Sequence, residues 1–138
     1  VKTTGGKGLH LVVPIDRRHE WPFLREFSQQ VAEAIVRAAP DRYTSNMSKA
    51  RRRGKIFIDY LRNARGATAV AAYSPRARPG ATVSTPVAWK ELTPKLDPQS
   101  FNVGSLPRRL AKLRQDPWQE MAVTHQAITK NMQERLEP

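Results

Sequence analysis

The 138-residue sequence contains no cysteine, which excludes disulfides and thiolate metal sites. No window approaches the roughly eighteen uninterrupted apolar residues of a membrane span, and no basic-apolar leader with a cleavage site stands at the start. A cytoplasmic protein is expected. There is no Gly-x-x-x-x-Gly-Lys-Ser/Thr signature, no Asp-x-Asp pair, and no Ser-His-Asp or Cys-His nucleophile arrangement. His19 and His125 lack metal-like spacing with any other ligand. Acidic residues are scarce: 12 Asp and Glu stand against 24 Lys and Arg, for a formal net charge of +12. That imbalance calls for a polyanionic partner, nucleic acid before an anionic membrane surface. The length suits one domain with its own core.

Along the chain, "TTGGKGLHLVVP" joins a glycine turn to an apolar strand over residues 8–14, in which Leu9, Leu11 and Val13 share one face and His10 the other. Phe23, Phe27, Val31 and Ile35 recur every four residues and predict a helix over 21–39, with Pro22 in its first turn and Pro40 preventing continuation. "RRRGKIFIDYLRN" switches to period two, so Ile56, Ile58 and Tyr60 face one way while Lys55, Phe57 and Asp59 face the other. "ATAVAAYS" reads as a further strand, paired to the preceding one through a turn at 63–66. "PRARPGATVSTP" reads as an extended, ordered loop. Short helices are expected near 87–92 and 106–113. A longer one is expected over 116–136, with Asp116 as its cap and Trp118, Met121, Ile128, Met132 and Leu136 as a buried stripe.

Three constellations carry chemistry. In the first, Thr4, Lys7 and His10 lie within one turn and strand, where glycines admit close approach of an anion and an ammonium neutralises its charge. A surface turn with an incidental lysine explains the pattern equally well. The second is Asp59, a carboxylate in an otherwise apolar strand, whose burial without a partner would be costly. It ligates a metal, pairs with Lys55 or Arg62, or marks the strand's solvent face. One aspartate alone holds Mg²⁺ poorly, because the ion takes several hard oxygen ligands. The third is the basic set Lys49, Arg51, Arg52, Arg53 and Lys55, with Arg76 and Arg78 in the later loop. These are either solvated surface or the flanks of a nucleoside-triphosphate site.

"VKTTGGKGLHLVVPI", "RRRGKIFIDYLRNARGATAVAAYSPRARPGATVSTPVAWKEL" and the closing "DPW" closely resemble the C-terminal part of the polymerase domain of bacterial ATP-dependent DNA ligase D, in the archaeo-eukaryotic primase superfamily. The resemblance runs from Val1 to about Trp118. It implies an α+β fold with a mainly antiparallel sheet, helices on one face, and His10 and Asp59 on adjacent strands projecting from the other. It further implies that His10 contacts the incoming nucleotide's phosphates, that Thr4, Lys7, Arg52 and Arg76 bind the triphosphate, and that Asp59 ligates a divalent Mn or Mg ion. His10 and Asp59 are thus the implied catalytic pair. Lys49, Arg51 and Arg53 are then DNA-binding residues in a nucleoid-associated repair polymerase, with Ku or a ligase domain as further partners. Thr4 stands where the family typically has serine. The family's Asp-x-Asp motif is absent, so the metal is expected to be incompletely ligated, and the chain, which begins with Val, is expected to be a fragment with impaired activity. The rival readings are a non-catalytic nucleotide- or nucleic-acid-binding derivative of that domain, and a structural domain whose charge serves solubility.

Overall fold

The four-residue recurrence of Phe23, Phe27, Val31 and Ile35 builds helix α1, Trp21–Ala38. His19, Phe23 and Phe27 stack along one side of it, and Ala32 is buried. Ala39 closes the last turn by donating to the Ile35 carbonyl at 3.2 Å, just before Pro40. The computed structural model describes residues 1–137, and the chain forms two units. Unit 1 comprises Val1–Ile15 and Val70–Gln126, whereas unit 2 comprises Asp16–Ala69 and the chain from Ala127 onward.

In unit 1, β1 (Lys2–Thr3) pairs antiparallel with β2 (Leu9–His10), placing Lys2 opposite His10 and Thr3 opposite Leu9. On its other side β1 meets residues 85–86, through a bridge from Lys2 to Pro86 and a bond from the Thr3 amide to the Thr85 carbonyl. The core of this unit is the loop "TVSTPV": Val83, Ser84, Thr85, Pro86 and Val87 are all fully buried. Buried hydroxyls need partners. Ser84 donates to the Thr3 carbonyl at 2.8 Å, the Thr3 hydroxyl donates to the Val83 carbonyl and accepts from the Thr85 amide, and the Thr85 hydroxyl donates to the Val83 carbonyl. Helix α2 spans Leu106–Lys112. Its Arg109 holds Glu91 through two bonds of 2.7 and 2.9 Å, reaches the Pro86 carbonyl, and lies over the Phe101 ring.

In unit 2, α1 packs against β3 (Tyr43–Thr44), which pairs parallel with β4 (Ile56–Phe57). A last short helix, α3, covers Lys130–Glu134, with the Thr129 hydroxyl accepting from the Met132 amide. The α+β class is therefore borne out. The sheet content among the described residues is smaller than expected, one antiparallel and one parallel two-stranded pair.

Several expected elements change. The helix over 116–136 becomes turns followed by α3, because Asp116 accepts from Tyr73 and the Trp118 indole donates to the Val1 carbonyl at 3.0 Å. Residues 67–72 form no strand, and the strand of Asp59 ends at Phe57. The helix near 87–92 is a single 3-10 turn over Trp89–Glu91. The ordered loop is borne out: Pro75 bridges Val83 and Thr82 bridges Asn102.

Candidate functional site

The glycine turn between β1 and β2 is held from inside and clasped from outside. Inside, the Thr4 amide and hydroxyl both donate to the Gly8 carbonyl at 3.1 Å, while the Thr4 oxygen accepts from the Gly6 amide. Outside, Arg76 donates to the Thr4 carbonyl at 3.2 Å and Arg78 to the Gly5 carbonyl at 3.3 Å, and the Thr82 hydroxyl also reaches Gly5. Two guanidinium groups thus sit against a turn whose Lys7 and Gly8 amides donate to no protein acceptor among the described residues. Lys7 itself is exposed and makes no hydrogen bond or ion pair there. Amides and cations gathered in this way form an anion-binding concavity. Thr4, Lys7, His10 and Arg76 all belong to this unit, and Arg78 joins them.

Lys2, on β1 beside this turn, is a buried cation that sequence reasoning missed. It is 3 % exposed, and its ammonium donates to the Val70 carbonyl at 2.8 Å and to the Ser84 hydroxyl at 2.7 Å, with no carboxylate among its bonds. Because Lys2 and His10 are directly opposite, their side chains project from one face. Burial, then repulsion from Arg76, pushes the Lys2 ammonium below its ordinary value of 10.5. Between that lowered value and 10.5 the unfolded chain binds more protons, so stability should rise with pH through this window. Lys2→Met should flatten the rise. Denaturant titrations at a series of mildly alkaline pH values, kept below 10 so that Tyr73 does not contribute, would measure it.

The remaining expected site residues lie in unit 2. Arg52, in a 3-10 turn over Lys49–Arg52, stacks 3.5 Å above the Phe57 ring centre and donates to the Asn46 and Met47 carbonyls. Lys55 donates to the Pro40 carbonyl. Lys49, Arg51 and Arg53 are exposed and make no side-chain bonds among the described residues. Asp59 accepts from the Leu61 amide at 3.0 Å and lies 3.9 Å from Arg62. An aspartate bonding the amide two residues on is a turn former. That turn explains why β4 stops early. His10 consequently lies on β2 of unit 1, whereas Asp59 lies beyond β4 in unit 2 and on no strand, so the two are not on adjacent strands of one sheet.

As a metal centre, the donor set does not fit. Among the described residues no three His, Asp or Glu side chains gather, and Asp59 supplies one carboxylate where an octahedral ion needs several oxygens. No helix of the described residues is long and apolar enough to cross a membrane.

The family model described as the LigD primase-polymerase domain matches residues 1–118. The multifunctional non-homologous end joining protein LigD of Pseudomonas aeruginosa is 46% identical over 99% of this chain, which covers 16% of that protein. The bifunctional non-homologous end joining protein LigD of Bacillus subtilis is 31% identical over 80% of the chain and 18% of its own length. The Mycobacterium tuberculosis protein of the same kind is 39% identical over 65% of the chain and 12% of its own length. The chain therefore spans less than a fifth of the length of each of these relatives.

Proposed function

Because the chain belongs to the LigD primase-polymerase domain family, we propose that it is the triphosphate-holding portion of a polymerase module serving non-homologous end joining repair of DNA. The clasped glycine turn carries this reading. Arg76 and Arg78 are spent partly on carbonyl oxygens, which fixes their guanidinium groups beside the turn, while Lys7 stays uncommitted. Such preorganised cations stabilise a polyphosphate without reorganising when it arrives. His10 sits at the end of the turn and supplies a further polar contact to a phosphate oxygen. In this reading Thr4 acts by shaping the turn, since its hydroxyl is already engaged with Gly6 and Gly8.

On the second unit, Arg52 is a cation of the kind that binds triphosphate oxygens, and the free side chains of Lys49, Arg51 and Arg53 meet DNA phosphates, which position a duplex without reading its bases. Asp59 offers one carboxylate to a divalent Mn or Mg ion, whose remaining ligands would have to come from outside the described residues. Ku and a ligase domain are the further partners of the assembled repair machinery. Calorimetric titration of a nucleoside triphosphate in the presence of chelator tests the grip. Lys7→Ala should weaken binding roughly tenfold, the scale of one charged hydrogen bond, with no loss of thermal stability because the Lys7 side chain is exposed and makes no hydrogen bond or ion pair among the described residues. Undiminished affinity in that variant would overturn the assignment.

The limited donor set around Asp59 favours a second reading, in which this chain binds nucleotide and DNA without catalysing transfer. Extension of a primed template with Mn²⁺ decides between them: product formation by the purified chain supports a working polymerase, and binding without extension supports the binding module.

A further inference from the structure

Helix α1 carries its packing stripe on Phe23 and Phe27, yet its first residue, Trp21, is 47% exposed. Trp21 opens a shallow cavity of about 360 Å³ lined by Pro22, Arg25, Glu26, Gln29 and Ala64. The volume lies within the range of about 300–1,000 Å³ of small-ligand sites. Trp21, Arg25 and Gln29 recur every four residues and so share one face of the helix, with Ala64 contributed by a loop. Arg25 makes no side-chain hydrogen bond or ion pair among the described residues, nor does Arg65, the neighbour of Ala64 in that loop.

We propose that this cavity is a second nucleic-acid contact, one that receives an unpaired base of a single strand. The exposed indole is a stacking platform for any base, Arg25 and Arg65 offer charge to the flanking phosphates, and the Glu26 carboxylate can accept from an exocyclic amine. The occupant follows from the combination of an uncovered indole with two uncommitted guanidinium groups in a chain of net charge +12. A protein partner would bury the indole equally well, but it would not call for Arg25 in the lining and Arg65 next to the lining residue Ala64.

The inference rests on the nucleic-acid part of the proposed function, and its test separates the two. The probe is a short oligodeoxycytidine, followed by fluorescence anisotropy of a label on the strand, with a blunt duplex and a nucleoside triphosphate titrated in parallel. Trp21→Ala should weaken binding of the single strand about tenfold, within the range for one stacked base, and leave the duplex and the triphosphate unaffected. Trp21→Phe should retain most of the affinity, and Arg25→Ala should lower the salt dependence by about 0.7 in the slope of log affinity on log salt. Equal affinity of Trp21→Ala and the parent chain for the single strand would overturn the proposal, as would an equal loss on single strand and duplex. Loss of triphosphate binding in Lys7→Ala is independent of either result.

Discussion

A Gly5→Ala variant should bind nucleoside triphosphate at least tenfold more weakly than the parent chain and lose roughly 2 kcal/mol of stability. Gly5 has φ +67°, in the left-handed region that side chains rarely adopt. A Cβ there would stand 2.6 Å from Cγ of Arg76 and 3.4 Å from the Ser84 amide nitrogen. Cγ is close to the root of the arginine, so the side chain cannot simply swing its tip away. Arg76 would leave the Thr4 carbonyl, and the Gly5 carbonyl would shift from Arg78 and Thr82, so the clasp and the turn would fail together. Gly8→Ala is the control: a Cβ there meets Thr4 only at 3.8 Å, ordinary contact, and should leave both properties nearly unchanged. Triphosphate titration and urea unfolding of the two variants would check this. Matching behaviour of Gly5→Ala and Gly8→Ala would refute the clasp as the source of binding.

Glu91→Gln should cost about 2–3 kcal/mol near neutral pH, somewhat below the figure for a fully buried pair. The pair is bidentate and only 18% and 28% exposed, and Arg109 Nε is already buried without a partner. Neutralising Glu91 would leave that guanidinium uncompensated beside the Phe101 ring. The bonds from Arg109 hold the Glu91 carboxyl below its ordinary value of 4.5, against the opposing effect of burial. Its stabilisation is therefore fully present above 4.5 and is lost as pH falls through the depressed folded value. Between those two values the unfolded chain binds the extra proton. The gap between parent and Glu91→Gln unfolding midpoints should consequently close in acid, and a gap that persists there would point to lost packing instead of lost charge.

Helix α1 is legible in the sequence because its apolar period is long and proline brackets both ends, at Pro22 and Pro40. Helix α2 is legible to within a residue. The tail is not. Asp116 does accept from the Trp118 amide as a cap would, but the same carboxylate takes the Tyr73 hydroxyl at 2.7 Å, a partner 43 residues away that no local pattern announces. The fully buried segment around Ser84 is equally opaque, since it alternates small polar residues with proline and finds its partners 80 residues upstream. In the candidate site, Lys7 and Arg76 could be found from the glycine turn and the resemblance. Lys2, beside that turn on β1, could not, because a lone lysine near a terminus gives no sign that it will be buried. Period two over 55–60 misleads for a simple reason: it cannot register that Asp59 bonds the Leu61 amide and ends the strand.

Unit 1 is built from the first fifteen residues and a stretch beginning at Val70, and its closing bonds are among the longest in the chain: Lys2 to Ser84 spans 82 residues, and Val1 to Trp118 spans 117. Loop-closure entropy must be met before such contacts reward it, so this unit folds late, whereas α1 forms from neighbours in sequence. During synthesis at roughly 5–20 residues per second, β1 leaves the ribosome several seconds before the segment 82–87 that anchors it is available. A strand edge awaiting its partner is an association hazard, and the basic charge spread over the rest of the nascent chain opposes such association through mutual repulsion.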